Sequence, residues 1–328
     1  MKLIGYACSY IPVEILSATG LQPYRLLHGD IDLSKQGERF VRVDACPMVK
    51  SNLAYAIQNA DKFAALIGTT GCDMSRRMFD VLSEQTNIPV YMVNNPRTDN
   101  PAMYNDEIDW LVKQLEHFSH MKFTDEMIRE EISKWEGMRA ELRIIDEKRA
   151  AHPSLVSTTD FHSVMAGYHK GSFDENVTFC QNPSDRPRLY LLGSAITYEA
   201  NHILQLIEEN LRIVGDFNCG LSRPLHIKIE GQSIDGIKKA YYNQPPCLYK
   251  RPHQKYYDFV AMEIARLRCI GIIAWTLDYC DVHEFELQKI EKVFNLPVLR
   301  IRSDFSYQGN SQLRTRIEAF AEMLCSRI

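Results

Sequence analysis

Two stretches of this chain carry the same chemistry at the same distance from the same landmark. Cys72-Asp73 lies 15 residues before the Asn of Asn87-Ile88-Pro89, and Cys280-Asp281 lies 15 residues before the Asn of Asn295-Leu296-Pro297. In each copy an apolar run precedes the cysteine and a polar, helically patterned stretch follows it. A thiol at a helix N-terminus is pushed toward thiolate, the form that binds metal. Soft thiolates suit zinc or an iron–sulfur cluster. Four more cysteines occupy comparable places. Cys8 follows the apolar run Ile4-Gly5-Tyr6, and Cys219 follows Arg212–Phe217. Cys46 and Cys247 sit in proline-containing turns ahead of helical stretches. Six of the nine cysteines therefore fall at the ligand end of the two expected sheets, three in each half of the chain. Three thiolates per half are too few for a closed zinc site, which takes four ligands. They suit a cubane cluster with one iron open or bridged. Buried packing cysteines and a redox centre remain alternatives at this point. Packing is the better account of Cys180, Cys269 and Cys325, which lie in the connector, at the start of a strand and on the last helix.

Around these thiols stand the groups that could move protons. Tyr10, Glu14, Ser194 and Glu199 lie just past first strands, and His283 follows Cys280 by three residues. Tyr10, Glu14 and His283 are the candidate catalytic groups. Glu199 suits a helix start better, and an exposed first turn competes for His283. Asp73 and Asp281 suit helix starts, where a carboxylate meets the positive end of the helix dipole. His162 and His169 are further proton-donor candidates, and Trp275 reads as core.

The elements that must hold these residues alternate in type. Apolar runs at 2–7, 63–70 and 90–94, and again at 188–194, 211–217, 269–277 and 298–303, predict buried parallel strands. Helical spacing occupies 12–19, 48–60, 73–86, 198–210, 256–268, 281–294 and 311–326. The matched copies make this an internal repeat. The fold class is α/β: two related domains with parallel sheets flanked by helices, joined by a helical connector. The expected limits are 1–101 for the first domain, 102–187 for the connector and 188–328 for the second. In the connector, 104–120 and 124–150 are charged helices and 171–187 is loop-rich. In open parallel sheets, ligands gather beyond the carboxyl ends of the strands.

Composition narrows the classes. The chain has 328 residues, 45% hydrophobic and 24% charged, with a net charge of −4. That is a soluble globular make-up without the basic excess of a nucleic-acid binder. No apolar run reaches the roughly 20 residues of a membrane span. The first residues run straight into a strand, with no signal-peptide pattern, which predicts a cytoplasmic protein. In that compartment nine cysteines are not a disulfide framework.

These motifs resemble the 2-hydroxyacyl-CoA dehydratase and benzoyl-CoA reductase family, and within it the double-cubane cluster proteins. The resemblance runs through Gly5-Tyr6-Ala7-Cys8, Ala18-Thr19-Gly20, Asp44-Ala45-Cys46-Pro47 and Gly71-Cys72-Asp73. It continues in Asp216-Phe217-Asn218-Cys219, Pro246-Cys247, Tyr279-Cys280-Asp281 and Leu296–Asp304. It implies two cubanes joined by a sulfide, one on Cys8, Cys46 and Cys72 and the other on Cys219, Cys247 and Cys280. It also implies a reductase of small molecules, a homodimer, and a separate ATP-hydrolysing iron–sulfur reductase that supplies low-potential electrons. The chain itself carries no Gly-x-x-x-x-Gly-Lys-Ser/Thr loop, which agrees with ATP hydrolysis by a partner. The same resemblance offers a second outcome, a dehydratase or acyl-CoA reductase subunit with a single 4Fe-4S cluster. A third, from another class, is a cluster-free two-domain protein that closes on a ligand.

Overall fold

The computed structural model describes residues 2–173, 186–306 and 310–326. Its first half runs β1 (Leu3–Tyr6), α1 (Val13–Ser17), β2 (Gln22–Arg25), α2 (Ile31–Gly37), α3 (Pro47–Gln58), β3 (Phe63–Thr69), α4 (Asp73–Gln85) and β4 (Val90–Val93). Three helices follow: α5 (Pro101–Ser119), α6 (Asp125–Ala151) and α7 (Thr158–His169). The second half runs β5 (Arg188–Gly193), α8 (Asn201–Glu208), β6 (Arg212–Asp216), α9 (Ile234–Asn243), α10 (Gln254–Arg266), β7 (Gly271–Leu277), α11 (Asp281–Phe294), β8 (Val298–Ser303) and α12 (Asn310–Cys325).

The strands form two four-stranded parallel sheets, ordered β2-β1-β3-β4 and β6-β5-β7-β8. The two orders are the same, as the internal repeat requires. Each sheet reverses its strand order beside its first strand, and there the loops beyond the carboxyl ends splay apart into a crevice. The central strands β3 and β7 are almost wholly buried, which explains their unbroken apolar runs. All the strands expected from apolar runs are present. The sequence reading missed β2, since its Gln-Pro-Tyr-Arg carries a proline. Pro23 is tolerated because β2 is an edge strand pairing with β1 alone. It also missed α2, α7 and α9. Of these, α7 begins with a capping box between Ser157 and Asp160, and α9 with a Ser233 cap. Most of the loop-rich stretch expected at 171–187, Cys180 included, lies outside the described residues.

Buried polar contacts tie the halves together. Glu14 on α1 meets Arg139 on α6 at 2.5 Å and accepts from Tyr241 on α9 at 2.8 Å. Tyr198 donates from the second half to the Arg25 carbonyl at 2.8 Å, and Arg251 N–H donates to the Arg97 carbonyl at 2.7 Å. Among the described residues, no helix is long and apolar enough to cross a membrane.

Candidate functional site

Cys8, Cys46, Cys72, Cys219, Cys247 and Cys280 all line one cavity between the two sheets. It encloses about 1140 Å³ of empty space, its open mouth included. Each thiol gets there by a local device. Cys46, Cys72 and Cys280 are the residues at which α3, α4 and α11 begin, and Pro47 presets the first turn of α3. Cys8 lies just past the end of β1, where its carbonyl accepts from Ile11 N–H. Cys219 rides a loop held by Asp216 and Asn218: Asp216 accepts from the Asn218 and Ser222 amides, and Asn218 accepts from Gly220 and Ile196. Asp216 is in turn fixed by Arg149 at 2.7 Å.

Within the cavity, thiols of one half have neighbours from the other. Cys8 has Cys247 and Cys219 as its thiol neighbours, and Ser9 Oγ lies 3.9 Å from Cys219 Sγ. Cys46 has Cys280 and Cys72, and Cys72 shares a side pocket with Val282 on α11. Both halves thus contribute thiols to one cavity.

The electrostatics of the two ends differ. Burial pushes the thiols of Cys8 and Cys280 up and that of Cys46 up to about 12, while Cys72 is exposed. Burial acts on Cys219 too, but the guanidinium groups of Arg223 and Arg25 outweigh it and hold that thiol below the ordinary value. Arg25 donates to the Cys219 carbonyl at 2.6 Å, and Arg223 Nη1 lies 3.9 Å from Cys219 Sγ. Both arginines line the cavity. Sequence reasoning missed them. Arg25 sits in the unrecognised strand β2, and the only signal for Arg223 is its position one helical turn beyond Cys219.

Other candidates fall in several places. His283 lines the cavity, and burial pushes its imidazolium down to about 4. Ser194 lines it as well, its hydroxyl accepting from Leu277 N–H. Tyr10 lies behind the wall, fully buried, with its hydroxyl lacking a partner and its ring under Lys250 and Arg223. Glu14 does not reach the cavity, being held by Arg139 and Tyr241. Glu199 accepts from the Gly29 amide and pairs with His28. His162 is bound by Asn201 and the Thr197 carbonyl, and His169 by the Gly220 carbonyl. Asp73 and Asp281 open α4 and α11, and Trp275 is buried in β7. Cys269 is buried outside the cavity at the foot of β7, and Cys325 is exposed.

Among the described residues, no three His, Cys, Asp or Glu side chains gather about one point as a single-ion site requires. What the cavity offers is six separated thiols on an apolar wall of Leu27, Met48, Val49, Phe217, Leu248 and Leu277. A cluster takes its thiolates on different irons, so a dispersed all-sulfur donor set fits it.

The profile of the family described as "2-hydroxyglutaryl-CoA dehydratase, D-component" matches residues 8–324. The chain belongs to this family. It is 23% identical to the (R)-phenyllactyl-CoA dehydratase beta subunit of Clostridium sporogenes, over 98% of this chain and 92% of that one. It is 20% identical to the beta subunit of the lactoyl-CoA dehydratase of Anaerotignum propionicum, over 98% and 91%. It is 24% identical to one of the subunits of the benzoyl-CoA reductase of Thauera aromatica, over 50% and 44%. A solved laminin-binding adhesin of Streptococcus agalactiae aligns over 99% of both chains, at 11% identity and a TM-score of 0.24.

Proposed function

We propose that this family member is an iron–sulfur reductase of small molecules that binds a double-cubane cluster between its two sheets. The observation that carries the reading is the convergence of six cysteines on one cavity. Cys8, Cys219 and Cys247 would hold one cubane, and Cys46, Cys72 and Cys280 the other. Bound there, the group supplies one-electron chemistry at low potential. The chain's own residues supply the setting. The apolar wall excludes water, which strengthens every electrostatic interaction inside. His283 lines the cavity and, neutral near pH 7, presents an imidazole that can hydrogen-bond an occupant. Low-potential electrons come, in this reading, from a separate ATP-hydrolysing iron–sulfur reductase, and the working protein is a cytoplasmic homodimer.

A second reading, a CoA-ester dehydratase subunit with one 4Fe-4S cluster, is favoured by the names of two full-length relatives. Only part of the cysteine set would then hold metal. Purification without oxygen, followed by assay of iron and acid-labile sulfide, separates the two. About eight irons per chain, two 4Fe-4S units, support the double cubane. About four turn the reading to the dehydratase subunit and to a test of acyl-CoA binding. No iron after anaerobic reconstitution overturns both and leaves a ligand-binding protein.

A further inference from the structure

Two buried arginines in this protein meet carboxylates: Arg139 has Glu14, and Arg149 has Asp216 and Asp146. Arg25 and Arg223 do not. Each is 2% exposed, and among the described residues neither forms an ion pair. Arg25 reaches only the Cys219 carbonyl and the face of Tyr6. Arg223 reaches the Pro245 carbonyl at 3.1 Å, Gln244 at 3.4 Å and the Cys219 thiol at 3.9 Å, between the rings of Tyr10 and Phe217, so the nearest anionic partners open to either arginine are cavity thiols and not carboxylates. The Nε–H of each has no acceptor. An uncompensated buried charge is strongly destabilising, so a counter-charge is called for. Both side chains line the cavity beside Cys219, where an anionic occupant would provide it.

At the opposite end, Asp73 and Asp281 directly follow Cys72 and Cys280 at the helix starts, but both are exposed and outside the cavity wall. The buried cations of the cavity wall thus lie toward Cys8, Cys219 and Cys247. Lys250, with its ammonium 4.7 Å from the Tyr10 ring, adds to the cationic end.

We propose that Arg25 and Arg223 are fixed counter-charges that make the Cys8–Cys219–Cys247 end of the bound cluster the first to accept an electron. This rests on the cluster reading above. In the step, a low-potential one-electron donor is oxidised by one electron, that end is reduced by one, and no bond is made or broken. A positive charge in a low-dielectric wall stabilises the added electron, and among the described residues the far end has no such buried cation in its wall. The two ends then differ in potential, and electrons enter in a fixed order.

The test is a potentiometric titration followed by electron paramagnetic resonance on anaerobically purified protein, with iron assayed on the same samples. The variants are Arg25→Gln, Arg223→Gln, Arg25→Lys and Arg223→Lys. In the glutamine variants the first reduction step is expected to move to more negative potential while the second moves less. The lysine variants should restore much of the shift. Loss of about half the iron in a glutamine variant and its retention in the lysine variant would also support a counter-charge. Unshifted potentials with iron retained would overturn the proposal while leaving the cluster reading intact. So would equal damage from lysine and glutamine, which marks a role in shape alone. A wild-type protein without iron overturns the cluster reading itself, and this proposal with it.

Discussion

The carboxylate of Glu14 lies 2.5 Å from the guanidinium of Arg139, and both side chains are sealed from water. Tyr241 closes the cluster by donating to the second carboxylate oxygen, and Tyr168 sits 3.3 Å from Arg139. Three separate parts of the chain, α1, α6 and α9, are joined by this network. The position just past the first strand that suggested proton transfer is used instead to lock the halves together. Removing one partner of a buried pair leaves the other charge unpaired, at a cost of about 3–5 kcal/mol. Glu14→Ala is therefore expected to lower the urea midpoint sharply. Replacing both partners, as in Glu14→Gln with Arg139→Met, should cost much less than the sum of the singles. A double-mutant cycle in urea checks this, and additive losses would refute the coupling.

Gly193 ends β5 at the cavity wall with φ of +127°, and a Cβ there would lie 1.7 Å from the Trp275 carbonyl oxygen. No side chain fits without moving β7, the strand that leads into Cys280. Gly193→Ala is expected to cost more than the roughly 1–3 kcal/mol of the backbone conformation alone. Thermal melting measures the loss. A variant as stable as wild type would mean that the β5–β7 contact is looser than described.

Stability should fall on mild acidification. Burial pushes His226 from 6.5 down to about 4, against the pull of Asp216 and Glu263 and with the help of Arg223 and Arg143. His162 and His169 are lowered for the same reason. A histidine held neutral in the native state binds its proton first in the unfolded chain. Its contribution is full above 6.5 and is lost as pH falls toward 4. For His226 this amounts to about 1–3 kcal/mol. Glu208 and Asp146, raised by burial, act in the opposite sense over the lower part of that range. The comparison with His226→Phe isolates the histidine, since its ring packs on Phe217 and Phe259. Urea midpoints at about pH 7 and about pH 5 should converge in the variant relative to wild type.

The sequence carried the sheets because parallel strands buried on both faces read as apolar runs, and β3 and β7 are such strands. It did not carry β2, where Pro23 reads as a breaker unless the strand is known to be an edge. The thiols were legible because cysteine is rare and the Cys-Asp repeat is matched in spacing. Their convergence on a single cavity was not, because it depends on how the two halves pack, which no local pattern records. Arg25 and Arg223 were illegible for a related reason. A charged residue in a strand or turn reads as exposed, and only the fold reveals that it is buried against Cys219.

The grouping of the thiols yields the sharpest contrast in metal content. Cys8 neighbours Cys247 and Cys219, while Cys46 neighbours Cys280 and Cys72. If these neighbours are the ligand sets, Cys8→Ala/Cys219→Ala/Cys247→Ala removes one set and spares the other. Such a protein should retain about four irons. Cys8→Ala/Cys46→Ala/Cys72→Ala strips one ligand from the first set and two from the second, and should retain almost none. Ligand sets sorted by half would reverse the two results. Cys269, buried away from the cavity, is the control. Cys269→Ala should leave iron unchanged and cost about 1 kcal/mol of packing. Circular dichroism of each variant confirms that the chain still folds. Iron loss common to both triple variants would mean that the two ends of the cavity do not load independently, and that six thiols act as one site.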